Sequence, residues 1–352
     1  MVKQLREILK ITRQNSSARL EDVAHHAGVS TATVSRVLNQ PDLVRRTLRD
    51  RVEASINDLG YVAHGAARAL ASRRSRIIGA IVPTIDNAIF SSSIQSLQKR
   101  ASEFGYTLLL ASSDYSLDRE KKECQALLEQ NIDGLILVGE EHDPAVFSML
   151  KSKQVPYVNI WCYNEDSEHP NIGFDNYLAA KQITQYLLDL GHRQIGMIAG
   201  VVTENDRASA RLNAVIDTLN DAGLAAENDS ILQRDYQVSS GRDAAKQLLK
   251  LDKQPTAIIC GNDVLALGAL FECQAQGLKV PSDISIVGYD GLEIAAQVTP
   301  ALTTVVIPSI QMGVLAAEFL ISTINKKPIQ SKIKLEAELA IRETTSKPPR
   351  TN

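Results

Sequence analysis

The residues of this chain best suited to recognition chemistry are Ser30, Thr31, Ala32, Thr33, Ser35, Arg36 and Asn39, which crowd into the stretch LEDVAHHAGVSTATVSRVLN at 20–39. Short hydroxyls, a small apolar contact for a thymine methyl and a guanidinium able to pair twice with a guanine edge make a set that can read a DNA groove. Two helices and a turn must present them. Leu20, Val23, Ala24 and Ala27 recur at helical spacing, and Gly28 suits the left-handed position just past a helix end. Ser30 is placed to cap a second helix, whose buried side is Val34, Val37 and Leu38. The pattern predicts a helix-turn-helix. Spacing alone suits equally any small helical hairpin with a solvated polar face.

A second set of polar residues sits at the ends of short apolar runs. The runs are IIGAIVP (77–83), YTLLLAS (106–112), GLILVG (134–139), YVNIW (157–161), QIGMIAG (194–200), TAIICGND (256–263) and ISIVGYD (284–290). Each reads as a strand covered on both faces, and amphipathic helical segments separate them. This alternation predicts an α/β fold of parallel, doubly wound sheets, and around ten units call for two lobes. In such sheets ligands bind beyond the carboxyl ends of the strands. The candidates are therefore Asp86 and Asn87, Trp161, Phe174 and Asp175, Asn205 and Arg207, Asn262 and Asp263, and Asp290. Asp290 and Asn262 suit hydroxyls, whereas Asn87 and Asp263 read as helix caps.

Charge divides the chain. Residues 1–76 carry 14 Lys and Arg against 7 Asp and Glu, while the rest carries 24 against 34. A basic head points to phosphate, and the acidic body to something else. The four cysteines, Cys124, Cys162, Cys260 and Cys273, form no CxxC pair, which predicts free thiols in a reducing compartment. The charged opening MVKQLREILKITRQ lacks the apolar core of a signal peptide, and no apolar run reaches the roughly 20 residues of a membrane span. The expectation is a cytoplasmic protein with no membrane partner. Residues 62–76, VAHGAARALASRRSR, are small and basic like a linker.

Enzyme signatures are missing from the turns. There is no GxxxxGK[ST], GxGxxG, HExxH or GxSxG in the strand-to-helix connections, and the six histidines form no base-plus-nucleophile pattern. A free-standing sugar-binding protein would lack the basic head.

DVA, AGVS, TVS and RVLN, in that order, closely resemble the head of the lactose-repressor/galactose-repressor family of bacterial transcription factors. TLRDRVEASINDLGY (47–61) resembles that family's third helix, and the similarity runs on through most of the chain. GFDN and FECQAQGLKVPSD are similar to the gluconate-responsive branch. The resemblance implies an extension at 1–17, a DNA-binding domain at 18–62, a hinge at 63–76 and a periplasmic-binding-protein type I core at 77–345. Within that core it implies an N-lobe near 77–174 plus 305–330 and a C-lobe near 175–304 plus 331–345, with TTVVIP (303–308) crossing between them. It further implies effector contacts by Phe174, Arg211, Tyr236, Asn262 and Asp290, which the strand-end candidates Asp86 and Trp161 join. Leu70, in ARAL, matches the hinge leucine that wedges into the minor groove, although the family's Pro and Asn after Tyr61 are replaced here by Val62 and Ala63. The implied partners are double-stranded palindromic operator DNA, a sugar or sugar-acid effector and a second copy of the chain. No cofactor is expected. Without a heptad tail after residue 340, a homodimer is the simpler assembly.

Overall fold

The computed structural model describes residues 18–62, 74–86, 88–224 and 228–349. Leu70 and Asn87 lie outside the described residues, as do the 1–17 extension and hinge residues 63–73. The chain divides into two compact units, residues 1–75 and 76–352.

Among the described residues, the first unit has three α-helices, α1 (Leu20–Ala27), α2 (Thr31–Asn39) and α3 (Arg46–Leu59). Val23, Ala24, Ala27, Val34, Val37, Val52 and Tyr61 form its core. The α1–α2 turn follows local chemistry. Gly28 takes φ +62° after α1, a conformation that costs glycine little. Ser30 then caps α2 by accepting from the Thr33 amide at 3.2 Å. The helix-turn-helix is therefore held by its own caps as well as by its core.

The second unit holds two six-stranded sheets. The first contains β1 (Ile77–Val82), β2 (Thr107–Ser112), β3 (Gly134–Val138), β4 (Tyr157–Ile160) and β5 (Asn171–Gly173), with β11 (Lys332–Lys334) at its edge, in the order β11-β5-β4-β3-β1-β2. The second contains β6 (Ile195–Gly200), β7 (Ile231–Arg234), β8 (Ala257–Cys260), β9 (Ser285–Asp290), β10 (Thr303–Val306) and β12 (Glu338–Ala340), in the order β12-β10-β9-β8-β6-β7. Every pairing is parallel except that of β10 with β12. β3, β6, β8 and β9 are buried along their whole length, as strands covered on both faces must be.

Six of the seven runs read from the sequence are inner strands of these sheets; YTLLLAS is β2, which lies at the edge of the first sheet and is only partly buried rather than covered on both faces, because no further strand pairs beyond it among the described residues. Two lobe boundaries differ from the sequence reading. Val305 and Val306 belong to the second sheet, in register with Tyr289 and Asp290, so the return to the first lobe starts at the helix Ser309–Ile324. Residues 332–334 pair with 171–173 in the first sheet, not in the second lobe. A three-residue edge strand reading Lys-Ile-Lys carries too little apolar pattern to announce its sheet. The chain thus crosses between lobes after β5, after β10 and after β11. Helix Pro144–Lys153 was also not apparent from the apolar runs; its start is fixed by Asp143, which accepts from the Ala145 amide at 2.8 Å.

Both sheets reverse strand order beside their first strand, β1 between β2 and β3, and β6 between β7 and β8. These are the switch points where doubly wound sheets open a crevice. The helices Val238–Leu248 and Asp263–Ala275 flank the second sheet and meet through glycine. A methyl group on Gly268 would overlap the Val238 carbonyl, and one on Gly241 the Leu265 carbonyl. Backbone cannot yield there as a flexible side chain could. Alanine favours a helix over glycine by roughly 1 kcal/mol, yet Gly268→Ala is expected to destabilise the core by about 1–3 kcal/mol through overpacking. A lowered urea midpoint checks this; a raised one would show that the helix pair has slack.

Candidate functional site

On the head, Thr31, Ala32 and Arg36 stand exposed on α2, and Thr33 and Ser35 are half-buried. Ser30 is committed elsewhere: its hydroxyl serves the cap and lies 2.9 Å from the Thr33 hydroxyl. Those two side chains orient the helix start, which leaves Thr31, Ala32 and Arg36 as the most exposed of the groups expected to face DNA. Arg36 makes no ion pair among the described residues, so its guanidinium keeps its donors. Asn39 closes α2.

In the core, loops from the carboxyl ends of both sheets line one small, partly open cavity. From the first lobe come Ile89 and Phe90 after β1, Tyr115 after β2 and Trp161 after β4. The second lobe supplies Asn205, Arg207 and Arg211 after β6, Tyr236 after β7, Asn262 after β8 and Asp290 at the end of β9. Five residues expected at the site therefore meet around one space: Trp161, Arg211, Tyr236, Asn262 and Asp290. Phe174 stands one layer back, its ring 6.5 Å from Trp161 and 6.3 Å from Tyr289, and braces the wall. Asp86 is not there. It is exposed in the bend after β1, with its amide donating to the Thr84 hydroxyl, because the chain runs on through the turn Ala88–Phe90 and lets Phe90 reach inward.

Arg207 and Asn205 were visible as strand-end residues. Tyr115, Ile89 and Phe90 were missed. Tyr115 follows the run YTLLLAS and could have been found by treating that strand end like the others. Ile89 and Phe90 are apolar, and nothing in a search for polar groups singles them out. The cap of helix Asp263–Ala275 is also reassigned. Asn262, not Asp263, accepts from the Leu265 amide at 2.9 Å, while Asp263 accepts from the Thr304 hydroxyl at 2.6 Å and the Leu292 amide at 2.7 Å.

The cavity is polar and under-paired. Asp290 is 6% exposed, and neither carboxylate oxygen has a hydrogen-bond partner. Burial pushes its carboxyl well above the usual range, and the Arg211 guanidinium, 3.9 Å away, only partly offsets that. Arg211 donates to the Tyr236 hydroxyl at 3.3 Å and lies 4.6 Å over the Tyr289 ring, a cation–π contact. Its Nε is unpartnered, as are Asn262 Nδ2 and Trp161 Nε1. Buried polar atoms normally find partners. Here five of them, donors and acceptors, converge on one space.

Backbone strain collects at the same place. Tyr115, Trp161 and Asp290 take φ of +56°, +68° and +108°, a region that non-glycine residues seldom occupy and that costs on the order of 1–3 kcal/mol each. The first turn of helix Asp206–Asp221 joins the lobes beside the cavity. Arg207 Nη1 donates to the Val138 carbonyl at 2.9 Å, the Glu140 amide to Asp206 at 3.0 Å, and the Leu117 amide to Glu204 at 2.9 Å. Gly139 makes room, since a methyl there would overlap the Arg207 guanidinium.

Residues 19–64 match the family described as bacterial regulatory proteins, lacI family, and residues 75–342 match the periplasmic binding proteins and sugar binding domain of LacI family. The chain belongs to the LacI family. It is 34% identical over 339 residues to the HTH-type transcriptional repressor CytR of Escherichia coli (strain K12), covering 96% of this chain and 99% of CytR. It is 33% identical over 318 residues to the transcriptional regulator GntR of the same strain, covering 89% and 94%. The lac repressor dimer bound to operator and the anti-inducer ONPF superposes with a TM-score of 0.82 at 28% identity, covering 94% of this chain and 100% of that one. The relatives are transcriptional regulators, and this LacI-family chain is a DNA-binding repressor with a sugar-binding type of core, not an enzyme. None of the helices among the described residues is long and apolar enough to cross a membrane. His192, in the LGHRQI turn, proves structural: it is fully buried, between the Thr256 hydroxyl at 2.8 Å and the Ser346 carbonyl at 2.9 Å.

Asp206→Ala removes one of these inter-lobe bonds, together with the ion pair of Asp206 with the cavity-lining Arg207. The expected result is faster amide hydrogen exchange at Glu140, with the exchange of β3 unchanged. Identical exchange in variant and parent would mean that this bond does not help hold the lobes.

Proposed function

We propose that this LacI-family repressor binds a palindromic operator as a homodimer, and that a small hydroxylated ligand, a sugar or sugar acid, controls its affinity from the cleft. One observation carries the ligand assignment: Asp290, Arg211, Asn262 and Trp161 leave buried donors and acceptors unpaired around a single cavity. An isolated apolar ligand would leave them so, at a cost of roughly 1–3 kcal/mol for each group. A ring bearing several hydroxyls pairs them all, since each hydroxyl both donates and accepts. The Phe90 and Trp161 rings, edge to face at 4.7 Å, supply the apolar wall for its C–H face. A regulator of this kind works where the chromosome is, in the cytoplasm. At the hinge, Leu70 is assigned the minor-groove wedge, an apolar side chain that replaces base stacking in a bent operator.

Ligand closes the lobes on itself only insofar as it binds the closed state better, and that difference is what reaches the operator. A thermal-shift screen of the full chain against sugars and sugar acids, followed by gel shifts with and without the hit, tests the whole reading. Operator affinity indifferent to every stabilising ligand would refute it.

Two outcomes are specific to named residues. Arg36→Ala is expected to weaken binding to an operator selected from random-sequence DNA by about 1–3 kcal/mol, with little change on unrelated DNA; equal losses on both would assign Arg36 to phosphate. For Asp290, the sign of the pH effect follows from burial. Burial raises its carboxyl pKa, and ligand hydroxyls donating to it favour the charged form. Binding therefore expels a proton, and affinity rises as pH rises. Calorimetry in two buffers of different ionisation enthalpy measures the proton, and Asp290→Asn should abolish it. Proton uptake on binding would contradict the assignment.

A further inference from the structure

Asp263 is a fully buried carboxylate that lies outside the cavity lining. It makes no ion pair among the described residues, and the nearby Arg342 guanidinium donates to the Leu302 carbonyl at 2.6 Å. A buried carboxylate is costly unless hydrogen bonds satisfy it. Helix capping does not account for this one, because Asn262 caps the helix that Asp263 begins.

Its hydrogen bonds go to β10 and to the turn after β9. Oδ1 accepts from the Thr304 hydroxyl at 2.6 Å and Oδ2 from the Leu292 amide at 2.7 Å, and the Gly291 amide is a further donor. β9 leaves room for the carboxylate, since a methyl group on Gly288 would overlap Oδ1. The turn held in this way has a shape that local preference disfavours. Asp290 and Gly291 follow one another at φ +108° and +70°, and a methyl group on Gly291 would come within 2.7 Å of the Val306 Cα. Hydrogen bonds to an ionised acceptor are the stronger kind, and these act one and two residues beyond Asp290.

Asp263 therefore ties together the two backbone segments that carry cavity groups. Asn262, its neighbour in the chain, brings an unpartnered Nδ2 donor to the cavity, and Asp290 brings two unpartnered acceptor oxygens. We infer that Asp263 is a positioning residue of the cleft: by clamping the helix start to the 290–292 turn, it sets the spacing between Asn262 and Asp290 that a ligand must match. A ligand with an acceptor and a donor at that spacing meets both groups; one with another spacing meets a single group and leaves the other buried and unpaired, which is costly. The inference rests on the reading of the cleft as the ligand site.

Crystal structures of the full chain carrying Asp263→Asn or Leu292→Pro test it without ligand. The first variant keeps the shape of the side chain and turns an NH2 group toward the Leu292 amide. The second removes the amide hydrogen at a residue whose φ is already −58°, where proline fits, and it spares the buried helix start should the first variant fail to fold. Both are expected to release Asp290 from its left-handed conformation and to change its distance from Asn262. An unmoved Asp290 in either structure overturns the inference. Calorimetry with D-glucose, D-ribose and D-gluconate reads the consequence: a probe that binds the parent should lose roughly tenfold in affinity in each variant. In an Asp290→Asn background the same changes should cost little, because Asp263 acts through Asp290. Equal losses in both backgrounds, or none in either, would make Asp263 a support of the fold alone and overturn the positioning role. Silence from all three probes counts against the hydroxylated-ligand reading only, and the two crystal structures still decide what Asp263 does.

Discussion

Everything at the centre of this core turns on a buried carboxylate that lacks partners. Asp290 sits at φ +108° with both oxygens bare and a guanidinium 3.9 Å away, too far to be a hydrogen bond. No local preference of the chain favours that arrangement. It persists because β9, buried from end to end between β8 and β10, delivers the residue there, and because Arg211 is pinned by the Tyr236 hydroxyl and the Tyr289 ring. The rigid sheet supplies the energy that the site withholds.

The same logic explains why the lobes are built as they are. A parallel sheet buried on both faces tolerates little slack, and the helix pair at Gly241 and Gly268 brings backbones to their closest approach beside it. Freedom is kept for the loops at the strand ends, where the strained residues Tyr115 and Trp161 lie. The chain crosses between lobes three times, so relative movement of the lobes is guided by three strands of backbone at once. Such a hinge favours two discrete arrangements over continuous wandering.

Much of this was legible in the sequence, for reasons that differ by element. The helix-turn-helix could be read because its signals are local: Gly28 and Ser30 act within one turn of themselves. Central strands could be read because burial on both faces writes an unbroken apolar run. The short edge strands at 332–334 and 338–340 could not, since they owe their sheet to distant partners, whereas β2, also at an edge, keeps six apolar-rich residues and was read. At the cleft, Asp290 and Asn262 were visible at strand ends, and Arg211 and Tyr236 through family resemblance. Asp86 was misplaced because strand-end logic fixes where a loop begins and not which of its residues turns inward. Phe90 reaches the cavity through a 3₁₀ turn that no polarity pattern marks.

The first turn of helix Asp206–Asp221 joins these strands of argument. Asp206 and Arg207 reach across to Glu140 and Val138 in the other lobe, while Arg207 and Arg211, four residues apart and so on one helical face, line the cavity. In the proposed reading, a ligand held by Arg211 would pull on the same rigid turn that joins the lobes. Coupling of this kind needs no long pathway, because the element that senses and the element that clasps are one. Its strength is bounded by the difference between the ligand's affinities for the closed and the open cleft. A ligand whose hydroxyls reach Asp290 and Arg211 on the second lobe and Trp161 on the first would draw that difference from touching both walls at once, which requires the lobes to be close.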